Sequence, residues 1–136
     1  MPYILVAEDD PYIQLLVRRK LEGAGYEVKT TPDGAEALAM VQANPPTLLL
    51  LDIMLPGRSG LDVCSEIKSA LGKAAPPVII ISAKGQQNDV EAAEHVGADD
   101  YLIKPFAPSE LLARVQEVMR RHATVMNQGT PRTPLP

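Results

Sequence analysis

The chain has 136 residues, with 13 basic against 17 acidic side chains and a net charge of −4 at pH 7. That length suits one domain, and no stretch approaches the roughly 20 apolar residues that a membrane helix needs. The acidic balance argues against direct nucleic-acid binding, while a lone cysteine, Cys64, leaves neither an internal disulfide nor a Cys/His zinc set.

In chain order, an apolar run from Tyr3 (YILVA) reads as a first strand. No basic segment precedes it, so no secretory leader is expected and a cytoplasmic location is. Asp10-Pro11 is an N-cap followed by proline at the first helical position. Ile13, Leu16, Val17 and Leu21 then share a helix face that should stop at Gly25. Arg18-Arg19-Lys20 reads as the solvated side of this helix. A weaker alternating run from Tyr26 (YEVKT) suits an edge strand, whereas Leu48 (LLLLD) and Val78 (VIIIS) open runs suited to strands buried on both faces. Between these two runs, Leu61, Cys64, Ile67 and Leu71 line a helix that ends at Gly72. Gly97 precedes a final strand at Tyr101 (YLI). Pro108 and Glu110 open a last helix lined by Leu111, Val115, Val118 and Met119, with Arg120, Arg121 and His122 expected in its last turn. Beyond it, Gly129, Pro131, Pro134 and Pro136 interrupt any periodicity. The reading is a folded domain over 1–122 and a flexible tail or linker over 123–136.

Strand–helix alternation of this kind predicts an α/β fold: a five-stranded parallel sheet, helices on both faces, flavodoxin-like order 2-1-3-4-5. Ligands of such sheets bind beyond the carboxyl ends of the strands. There the sequence delivers Glu8-Asp9-Asp10, Asp52, Ser82 and Lys104-Pro105. Carboxylates crowded together repel, and an all-oxygen set calls for Mg²⁺ or Mn²⁺. A carboxylate at the end of a central strand can then act as a nucleophile toward phosphorus, with an ammonium to neutralise the transferring group.

The segments that carry these residues resemble the receiver domain of bacterial two-component response regulators. They are ILVAEDD from Ile4, DGAEAL from Asp33, LDIMLPG from Leu51, ISA from Ile81 and GADDYLIKPF from Gly97, in family order and spacing. The resemblance implies a phosphorylated signalling switch rather than a turnover enzyme. By it, Asp52 is the phosphoacceptor, Lys104 pairs with the phosphoryl group and Ser82 is the switch hydroxyl. Asp9 and Asp52 ligate the metal directly, Glu8 through a water and Met54 through its backbone carbonyl. Tyr101 is the aromatic whose rotamer follows activation, and the Lys104-Pro105 bond is cis. The implied partners are a histidine kinase or histidine phosphotransfer protein and a downstream output protein or linked effector domain.

On the helix 4/strand 5/helix 5 face, Asp99, Asp100, Glu110, Arg114 and Arg121 match the charge pattern of family members that form homodimers, while Val90, Glu91 and Glu94 depart from it. Met54 and Lys84, two residues beyond Asp52 and Ser82, carry no acceptor suited to orienting water, which predicts slow self-dephosphorylation. Two competing readings are a haloacid-dehalogenase-like phosphatase, which would need an acid at Met54, and a phosphate-independent pseudo-receiver. A nucleotide-binding fold would need a Gly-rich phosphate loop that this chain lacks.

Overall fold

The computed structural model describes residues 2–83 and 87–128. Five parallel strands, β1 (Ile4–Ala7), β2 (Val28–Thr31), β3 (Leu48–Asp52), β4 (Val78–Ser82) and β5 (Asp100–Ile103), form one sheet of order β2-β1-β3-β4-β5. Helices α1 (Pro11–Gly23), α2 (Gly34–Ala43), α3 (Gly60–Leu71), α4 (Gln87–His95) and α5 (Pro108–Gln128) alternate with them, as expected for the flavodoxin-like fold.

The pleat sends alternate side chains to opposite faces. Ile4, Val6, Leu48, Leu50, Ile79 and Ile81 pack with Val17 and Leu21 of α1 and with Leu111, Val115 and Val118 of α5. Leu5, Ala7, Leu49, Leu51 and Ile80 face the other way, against α2, Ala93 of α4, and Val63, Cys64 and Ile67 of α3. The three central strands are therefore buried on both faces, which is why their sequences are continuous apolar runs.

Caps set where the helices begin. The Asp10 carboxylate accepts from the N–H groups of Tyr12 (2.8 Å) and Ile13 (3.4 Å), Asp33 from Glu36 (2.8 Å) and Ser59 from Asp62 (3.2 Å). Each is worth about 1 kcal/mol. At the far end of α1, Gly25 adopts φ 98°, and the Tyr26 N–H closes on the Leu21 carbonyl at 3.1 Å. That bond belongs to the helix stop, so β2 starts at Val28 rather than at Tyr26 as the sequence reading had it.

One expectation needs correction. Helix α5 does not stop at His122 but runs to Gln128, so Arg120, Arg121 and His122 lie within it and not in its last turn. The positive charge expected to answer the carboxyl-terminal dipole is therefore displaced from that end. Residues 129–136, with Gly129, Pro131, Pro134 and Pro136, lie outside the described residues, as does Lys84.

Gly60 is the tightest joint between β3 and α3. Its N–H donates to the Ile53 carbonyl at 3.0 Å, and a Cβ there would overlap the Asp52 carbonyl. Gly60→Ala should lower stability by about 1–3 kcal/mol, read from the urea midpoint. Gly23→Ala, with open space around its Cβ, should be neutral or slightly stabilising.

Candidate functional site

The register Ala7↔Leu51 between β1 and β3 brings Glu8 and Asp52 side by side at the carboxyl edge. Glu8 is fully buried and Asp52 is 3% exposed. Lys104, just after β5, reaches across with Nζ 2.5 Å from Asp52 Oδ2 and 2.8 Å from Glu8 Oε1. Residues from three strand ends thus meet at one point, as the sequence reading expected.

Local backbone holds each carboxylate in place. Glu8 Oε2 accepts from the Asp10 N–H at 3.0 Å, and Asp52 Oδ1 from the Met54 N–H at 2.9 Å. The Gln14 side-chain amide donates to the Glu8 carbonyl at 2.5 Å, tying the first turn of α1 to the end of β1. Asp9 is exposed, and carboxylate oxygens of Glu8, Asp9 and Asp52 lie within 4.8 Å of one another. Ser82 is buried at the end of β4, and its carbonyl accepts from the Lys104 N–H at 2.8 Å. The Lys104-Pro105 peptide is cis. Tyr101 is half-buried on β5 and lines a groove of about 250 Å³ with Val90, Ala93, Glu94 and Ile103.

The electrostatics follow from this crowding. Burial pushes the Glu8 carboxyl up to about 7. The Lys104 and Asp10 hydrogen bonds oppose that shift, and the Asp52 charge adds to it. Burial alone would lower the Lys104 ammonium, but its bonds to Asp52 and Glu8 prevail and raise it. A carboxylate raised in the folded state makes folding take up a proton, so stability falls as pH rises from the ordinary 4.5 to about 7. Glu8→Gln removes that loss. Without divalent cations it should be more stable than the native chain by up to about 3 kcal/mol at about pH 8, and near equal at about pH 4. Paired urea titrations check this.

Carboxylate oxygens of three residues thus crowd together, and two of the three, Asp52 and Glu8, also meet the Lys104 ammonium. The donors are all oxygens, with no histidine or cysteine among them. Such a set fits a hard divalent cation.

Sequence reasoning missed Gln14 and Gly60, which brace this site without sharing its chemistry. It placed Cys64 correctly as a core residue. For Met54 the described polar contact is its N–H on Asp52, and the side chain is 61% exposed.

A family model, the response regulator receiver domain, matches residues 4–116. The chain belongs to that family. This receiver domain is 41% identical over 138 residues to the DNA-binding dual master transcriptional regulator RpaA of Synechocystis, covering 95% of this chain and 57% of that protein. It is 40% identical over 121 residues to the phosphate regulon transcriptional regulatory protein PhoB of Rhizobium meliloti, covering 89% and 53%. The chain spans about half the length of the curated relatives it matches. Among solved structures, the BeF3-activated N-terminal receiver domain of Klebsiella pneumoniae RstA superposes with a TM-score of 0.80 at 30% identity, covering 87% of this chain and 98% of that one. The receiver domain is thus part of a two-component signalling switch. Among the described residues, no helix is long and apolar enough to cross a membrane.

Proposed function

We propose that this receiver domain accepts a phosphoryl group on Asp52 from a phosphohistidine of a histidine kinase or phosphotransfer protein. The observation that carries the reading is the approach of Lys104 to both Asp52 and Glu8, two carboxylates that would otherwise repel in a buried site. An Asp52 oxygen attacks phosphorus, the P–N bond to the donor imidazole breaks, and the imidazole leaves with a proton from solvent. The Lys104 ammonium neutralises charge on the transferring group. Asp9, Asp52 and the Met54 carbonyl would hold Mg²⁺, with Glu8 acting through a water, and the ion supplies further charge neutralisation when bound.

Ser82 and Lys104 then bond the phosphoryl oxygens. Charge-assisted hydrogen bonds are worth about 1.5–3 kcal/mol each, and the Lys104 bond to the phosphoryl group replaces the one it already makes to Asp52. Inverting a 1:99 population needs about 5.5 kcal/mol, more than the Ser82 bond alone supplies, so further contacts of the switched state add to it. The change passes through the loops after β4 and β5, and through Tyr101, to the α4/β5/α5 face. On that face Asp100 pairs with Arg114 (3.0 Å), Asp99 with Lys68 (3.0 Å), and Arg121 donates to the Asp99 carbonyl (3.3 Å). A homodimer through it would have to exchange some of these for bonds between chains. Its relatives, a DNA-binding transcriptional regulator and a phosphate regulon transcriptional regulatory protein, support a linked output domain as the partner of this face.

Incubation with acetyl phosphate and Mg²⁺ should add one phosphoryl group per chain, lost only slowly after donor removal because Met54 offers no acceptor for water. Steady release of phosphate from a small ester would instead favour a phosphatase. Unchanged mass would favour a phosphate-independent module.

A further inference from the structure

Methionine oxidation depends on how well the thioether is reached by the oxidant. Met54 is 61% exposed, while Met40 and Met119 are only partly so. The one cysteine is shielded: Cys64 is fully buried, and burial pushes its thiol up to about 11, which keeps it protonated and unreactive toward peroxide. Met54 also stands beside the chemistry. Its N–H donates to Asp52 Oδ1 at 2.9 Å, so its side chain leaves the backbone at the rim of the acceptor carboxylate.

We propose that Met54 is an oxidation site through which a peroxide shortens the life of the phosphoryl group on Asp52. The inference rests on the reading of Asp52 given above. The peroxide O–O bond breaks, one oxygen bonds to the Met54 sulfur and the other leaves as water (or as an alcohol); sulfur is oxidised by two electrons and the peroxide reduced. A thioether is a weak acceptor, whereas a sulfoxide is polar and accepts a hydrogen bond through oxygen. At this position that oxygen holds a water beside the phosphorus. In hydrolysis the water oxygen bonds to phosphorus and the P–O bond to Asp52 breaks. The proton goes to the departing inorganic phosphate, and the carboxylate is regenerated. Reduction of the sulfoxide restores the longer lifetime.

The test oxidises the chain with hydrogen peroxide, removes the excess with catalase, phosphorylates with acetyl phosphate and Mg²⁺, removes the donor and follows decay by intact mass. The oxidised native chain should lose phosphate about two- to tenfold faster than the untreated chain, the range that one added neutral hydrogen bond supplies. Methionine sulfoxide reductase should reverse the change. In Met54→Leu the treated-to-untreated ratio should stay near one, whatever that variant's own baseline. Met54→Gln, which carries a carbonyl acceptor without oxidation, should decay faster than Met54→Leu. Three results overturn the proposal: unchanged decay with sulfoxide located at Met54 by peptide mass, no sulfoxide at Met54 while other methionines oxidise, or the same acceleration in Met54→Leu. An untreated chain that takes up no phosphate overturns the reading of Asp52 itself, a distinct result that removes the basis of this one as well.

Discussion

Asp52→Ala should take up no phosphoryl group under conditions that load the native chain to one per molecule. The native adduct should be an acyl phosphate, released by hydroxylamine. The expectation is total loss because no other described carboxylate shares this setting. Asp9 is exposed, and Glu8, though as buried, has one oxygen engaged by the Asp10 N–H and the other on Lys104. Beryllofluoride with Mg²⁺ should alter Tyr101 fluorescence in the native chain and leave Asp52→Ala unchanged. Persistent single phosphorylation of the variant would move the acceptor elsewhere and end the proposed role of Asp52.

Lys104→Met should unfold more readily by roughly 2–4 kcal/mol at about pH 8 without divalent cations, since removing one partner of a buried ion pair leaves the other charge uncompensated. The lower half of that range reflects an ammonium side chain that is 17% exposed. The loss should shrink as pH falls from about 8 toward about 7, because Glu8, without the Lys104 contact that opposes its rise, takes up its proton at a higher pH in the variant than in the native chain. Mg²⁺ should restore part of the stability to the variant by replacing the missing positive charge. A penalty that does not change between about pH 5 and pH 8 would mean that the lysine stem, rather than its charge, holds the site. By the same reasoning, phosphate would still reach Asp52 in Lys104→Ala, but the response at Tyr101 would be weak.

Much of this was legible in the chain itself, for a physical reason. Strands buried on both faces must be apolar throughout, so the runs at Leu48 and Val78 announce themselves, and the polar residues that end them, Asp52 and Ser82, are then located by topology alone. Helix starts were legible where a side chain satisfies the first N–H groups, as at Asp10. The far end of α5 was not. Gly129 and the prolines after it drew the boundary too early, although Val125 and Met126 repeat the spacing of Val118 and Met119 seven residues on. Gln14 reads as an ordinary polar residue of an amphipathic helix, because its bond to the Glu8 carbonyl depends on how α1 docks rather than on local pattern. Gly60 reads as a loop glycine, and only the approach of the Asp52 carbonyl makes it irreplaceable.

Lys104 is held at both ends: its backbone N–H on the Ser82 carbonyl and its ammonium on Asp52. The two loops that frame the acceptor are therefore yoked together. A displacement of Ser82 drags the root of the lysine with it, so these two residues cannot respond to an incoming anion as independent sensors. Their substitutions should combine non-additively, as teeth of one gear rather than as separate springs.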